Sequence, residues 1–74
     1  MNVQHLVTMA NQIGSFFETM PDRPQAMSDF ANHLKRNWEP RMRRELLQHI
    51  EQQGGSDLNG LVLEALRLHG SMLK

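Results

Sequence analysis

Three prolines and one glycine pair divide this chain of 74 residues, and each of the four longer segments they leave repeats its apolar residues at helical spacing. Over residues 3–20, a turn of 100° per residue gathers Val3, Leu6, Val7, Ala10, Ile13, Gly14 and Phe17 on one face. Met9, Phe16 and Met20 widen that arc to about half the circumference, more than one neighbouring helix covers, so a second contact is expected. Gly14 inside the stripe costs ~1 kcal/mol of helix stability relative to alanine; it marks either a close approach by another backbone or drift at a permissive site.

Pro21 stops the first helix. Asp22 then offers an N-cap, Pro24 suits a first turn, and Gln25 stands where a capping box places it, so a second helix spans 23–37. Its apolar stripe, Met27, Phe30, Ala31, Leu34 and Trp38, is narrow, and the short connection makes an αα-hairpin with the first helix. Pro40 forces a kink or turn at Glu39-Pro40 and opens a third helix over 40–53, with Met42, Leu46, Leu47 and Ile50 inward and Gly54-Gly55 as its left-handed stop. A short fourth helix follows over about 59–69. Asn59 is its N-cap, with Ser56 competing, and Leu58 and Leu63 stand at staple spacing. Its apolar arc is Leu61, Val62, Ala65, Leu66 and Leu68, with Leu63 outside it, and residues 71–74 fray. The expectation is one all-α domain over 1–74, a small bundle of three longer helices and a short fourth.

A chain this short buries a little over half of its unfolded surface, and without cysteine it gains nothing from disulfides or thiolate metal sites. No apolar run reaches the ~20 residues that span a bilayer, and no signal-peptide layout opens the chain. Phosphate loops and nucleophile elbows are absent. His5, His33, His49 and His69 never pair at i, i+4 as metal ligands on one helical face would, and the carboxylates are dispersed. Catalysis by this chain alone is not expected.

Charge matters here by placement, because eight basic and eight acidic residues cancel. Lys35 and Arg36 sit in the last turn of a helix, where the dipole favours them, whereas Arg41, Arg43 and Arg44 open the next helix, where it does not. Glu39 is also a poor cap. Arg43 falls within the apolar arc: its stem snorkels with the guanidinium paired to an internal carboxylate such as Glu39, or it makes a bidentate contact on a partner. Arg41 and Arg44 belong to a solvated face or an interface. Trp38 either caps the core with its indole N–H on a carbonyl or anchors a partner. Asn11 and Asn32 sit mid-helix, where asparagine is a mediocre choice without a hydrogen-bond partner, with Gln12 and His33 beside them. Met9, Met20, Met27 and Met42 are core filler or an adaptable contact surface.

Met9-Ala10-Asn11-Gln12-Ile13-Gly14, Phe16-Phe17, Met20-Pro21-Asp22-Arg23, Ala31-Asn32-His33-Leu34 and Trp38-Glu39-Pro40-Arg41-Met42-Arg43 together resemble the delta subunit of soluble NAD-dependent formate dehydrogenase. These pieces cover the first two thirds of the chain. The resemblance implies a cytoplasmic accessory subunit with no cofactor of its own. Its enzyme oxidises formate to carbon dioxide and reduces NAD, while larger subunits carry a molybdenum or tungsten pterin, iron–sulfur clusters and a flavin. The small subunit would bind the catalytic alpha subunit and support its assembly or activity. Carried onto this chain, the contact residues it implies are Asn11, Gln12, Asn32, His33, Trp38, Arg41 and Arg43, to which the local charge pattern adds Arg44.

Two other readings stand beside it. A nucleic-acid or phosphate-binding module would use the Lys35–Arg44 cluster, against which count the zero net charge and the lone aromatic beside the patch. A dedicated chaperone would bind the immature alpha subunit or its pterin only transiently. The wide apolar arcs also allow a homodimer in isolation.

Overall fold

A computed structural model describes residues 2–74 as four α-helices and a closing 3-10 turn, with no strand among the described residues. The helices are α1 (Val3–Phe17), α2 (Arg23–Asn37), α3 (Pro40–Gln53) and α4 (Gly60–His69), followed by the turn Gly70–Leu73. The all-α bundle expected from the periodicity is the fold observed.

Local chemistry accounts for the boundaries. Asn2 caps α1 by accepting the N–H of Gln4 at 2.8 Å, and Asp22 caps α2 by accepting that of Gln25 at 3.2 Å. The expected capping box is only half made, since the Gln25 amide donates to Asp29 Oδ1 one turn along. Helix α1 stops at Phe17 instead of running to 20. There the amides of Thr19 and Met20 bond the carbonyls of Phe16 and Phe17, and the Thr19 hydroxyl also donates to Phe16, so the chain tightens before Pro21 is reached. Gly54 (φ 83°) and Gly55 (φ 74°) end α3 in the left-handed conformation, as their sequence implies.

Helix α2 is the centre of the packing. It touches each of the other three helices and the terminal turn, whereas α3 and α4 lean on α1 and α2 and scarcely meet each other. All five residues of its expected stripe are buried, and Ala26 joins them. Around Phe30 and Leu34 lie Leu6, Val7 and Ala10 of α1, Leu46 of α3, and Leu61, Val62, Ala65 and Leu66 of α4. Met27 belongs to this core, and Met9, Met20 and Met42 pack against it as filler. Gly14 is where α1 and α4 press together. A Cβ there would overlap Val62 Cγ2, so the close approach expected at this glycine comes from a side chain and not from a backbone.

Two expectations fail at the C-terminal end. Residues 71–74 do not fray: Leu73 is fully buried, and the Lys35 ammonium donates to the Met72 carbonyl at 2.8 Å, tying the turn to α2. On α4 the roles of two leucines are exchanged. Leu68 is 62% exposed, while Leu63 is half-buried over Gly55 next to Leu58, because the αL turn of the α3–α4 connection folds back onto that side of the helix.

Candidate partner interface

The sequence-derived contact residues separate into three environments. Asn11 and Asn59 form a clasp between α1 and the start of α4. Asn11 Oδ1 accepts the Asn59 N–H at 2.9 Å, its Nδ2 donates to the Asp57 carbonyl at 3.0 Å, and Asn59 Nδ2 donates to the Asn11 carbonyl at 3.1 Å. Asn59 therefore occupies the N-cap position of α4 without capping it by its own side chain. Ser56, the competing cap, stays in the preceding turn.

Trp38 and Arg43 lie inside, 6% and 9% exposed. Trp38 is core, as the first of its two readings had it, but no hydrogen bond from its indole N–H is found among the described residues. Arg43 is not paired with Glu39 or any other carboxylate. Its Nη1 donates to the Lys35 carbonyl at 2.9 Å, while its buried Nε has no partner. The cause is the Pro40 break: the α2 ladder stops with Trp38 N–H on Leu34, which leaves the Lys35 carbonyl at the negative end of the helix dipole for a cation to take. Glu39 heads α3 without a side-chain cap, as expected.

Gln12, Asn32, His33, Arg41 and Arg44 remain accessible. Asn32 and His33 line an open cleft between α1 and α2, together with Phe16, Phe17, Met20 and Arg36. Phe16 is 67% exposed, the most exposed large apolar side chain among the described residues. It stacks edge-on to Phe17 at 5.2 Å, and Phe17 continues edge-on to Phe30 in the core and to the His33 ring at 6.1 Å. Gln12 precedes Phe16 by one turn on the same helix face. Phe16 and Met20 were not among the sequence candidates, and the signal that points to them is an apolar arc too wide for one neighbour; in sequence Arg36 groups instead with the Lys35–Arg44 basic cluster.

Arg41 and Arg44 stand elsewhere, on the outer side of α3. Arg41 faces Glu45 at 3.6 Å, and Arg44 lines a separate groove with Leu47, Gln48, Glu51 and Lys74. The Lys35–Arg44 cluster is thus not one patch, since Lys35 is tied to Met72 and Arg43 is buried. No group of three or more His, Asp or Glu side chains is arranged to hold a metal among the described residues, and no helix there is long and apolar enough to cross a membrane.

A family model described as NADH-dependant formate dehydrogenase delta subunit FdsD matches residues 5–66. The chain belongs to this delta-subunit family. The match takes in the α1–α2 cleft and the Pro40 junction, and it runs on through most of α4, beyond the two thirds of the chain that carry the resemblance in sequence. The delta-subunit family therefore covers nearly the whole bundle. No curated protein and no solved structure matches the chain.

Proposed function

We propose that this chain is a non-catalytic accessory subunit of a cytoplasmic NAD-dependent molybdenum or tungsten formate dehydrogenase, and that it binds the catalytic alpha subunit and supports its assembly or activity. Membership of the delta-subunit family supports the enzyme assignment. The exposed Phe16 ring, seated beside Asn32 and His33, supports the binding role. An aromatic side chain that stacks on a core-linked ring yet is largely exposed is the type of residue enriched in interface cores, and the polar side chains around it supply orientation. In this reading Gln12, Asn32, His33 and Arg36 make the polar rim. Arg41 and Arg44 add contacts from α3, while Asn11, Trp38 and Arg43 act by holding the surface in shape.

The test is co-expression of the tagged alpha subunit with this chain or its Phe16→Glu variant. The wild-type chain should co-purify and raise formate-dependent NAD reduction by the assembled enzyme. Phe16→Glu should keep its helical circular dichroism yet be captured at least about tenfold less, the size of effect typical of an interface anchor. Undiminished capture of a folded Phe16→Glu chain overturns the surface assignment, and formate turnover by the isolated chain overturns the non-catalytic reading.

A further inference from the structure

Because α3 and α4 scarcely meet, an open groove runs between them. Its floor is apolar: Leu47 and Ile50 from α3, Leu66 from α4, with Gly70 packed against Leu47. Its rim is basic. Arg67 and Lys74 edge the groove, and Arg44 edges its continuation along α3, with Glu51 the single acid between them.

The state of the chain's eight cations makes this rim unusual. Arg23 is held by Glu64, Arg41 by Glu45, Arg43 by the Lys35 carbonyl, and Lys35 by the Met72 carbonyl. Arg44, Arg67 and Lys74 make no ion pair or side-chain hydrogen bond among the described residues, and apart from Arg36 they are the cations in that state. In a chain of zero net charge, three of the four unengaged positive side chains stand around one apolar trough, and the fourth, Arg36, lines the α1–α2 cleft.

We propose that this groove docks an acidic amphipathic helix presented by a protein partner. Apolar side chains at i, i+3, i+4 and i+7 of such a helix fit a floor of leucine and isoleucine, and flanking glutamates meet Arg44, Arg67 and Lys74 on the rim. Along α3 the groove runs from Arg44 to Glu51, about two helical turns or ~10 Å, which matches the i to i+7 span of such a helix. A single-stranded nucleic acid matches the rim but not the floor, which has no aromatic ring for bases to stack on. The inference rests on the charge distribution and not on the enzyme assignment, and the groove shares no lining residue with the α1–α2 cleft.

The probe is a fluorescein-labelled synthetic peptide of about 18 residues with leucines along one helical face and glutamates on its flanks, titrated with the full chain and followed by anisotropy. Saturable binding is expected. It should weaken about tenfold or more in Arg44→Glu/Arg67→Glu, whose sites are exposed, and stay unchanged in Arg36→Glu and Phe16→Glu. The same peptide with lysine for glutamate should not bind. In the unsubstituted chain, backbone amide shifts should concentrate at Leu47, Ile50, Leu66 and Gly70, which locates the site without any variant. Absence of saturable binding, equal binding of the lysine peptide, equal binding of a single-stranded oligonucleotide, or shifts centred on Phe16 and His33 would each overturn the proposal.

Discussion

Asn11, in the third turn of α1, supplies the hydrogen bond that Asn59 needs at the head of α4, across 48 positions of sequence. The first amides of any helix lack intrahelical partners, and here a distant side chain meets one of them. The same amide group also holds Asp57, so one residue fixes both the entry to α4 and the turn before it.

Asn11→Ala should destabilise the fold by ~1–3 kcal/mol, because it leaves the Asn59 N–H and the Asp57 carbonyl without their partners. Asn11→Asp keeps the acceptor and loses the donor, so it should fall between. Urea unfolding followed by circular dichroism measures both; a neutral Asn11→Ala would mean that water replaces the clasp without loss.

Trp38→Ala should leave the chain largely unfolded. Truncating a buried tryptophan costs ~3–5 kcal/mol, as much as the net stability expected of a domain this small. Trp38→Phe keeps most of the apolar contact and should retain a cooperative thermal transition. A well-folded Trp38→Ala chain would return this residue to the partner-anchor reading.

Arg43 should prove more valuable for its stem than for its charge. Arg43→Met and Arg43→Ala both free the Lys35 carbonyl, but methionine refills the space and removes a buried cation whose Nε is unpaired. Denaturant midpoints should place Met within ~1 kcal/mol of the parent chain and Ala ~2 kcal/mol or more below it. Equal loss in both would show that the hydrogen bond dominates.

Arg23 offers the contrast. Its ion pair with Glu64 joins α2 to α4 at 2.8 Å, but both side chains are about half exposed, so Arg23→Ala should change stability by less than ~1 kcal/mol. Raising salt should shrink that difference further. A larger, salt-resistant loss would disprove this estimate.

The helices were legible because their periodicity and punctuation agree: Asp22 before α2, Pro40 at α3 and the Gly54-Gly55 stop each act within a few residues of themselves. What escaped was long-range. Nothing near Leu73 shows that Lys35 will hold the neighbouring carbonyl, and nothing near Arg43 shows that Pro40 frees a carbonyl eight residues back. Asn11 was conspicuous as a mid-helix asparagine, but its partner lies in another helix. The α1–α2 cleft was half visible, since Asn32 and His33 drew notice through composition while Phe16 was hidden in the width of an apolar arc.

The central position of α2 also sets the order in which the bundle comes apart. An element that touches every other cannot open unless its neighbours have already separated, whereas α3, with few contacts to α4, can detach alone. Deuterium should therefore reach the backbone amides between Phe30 and Leu34 last, at a rate that reports loss of the whole fold, with those of α3 exchanging through a smaller and more frequent opening.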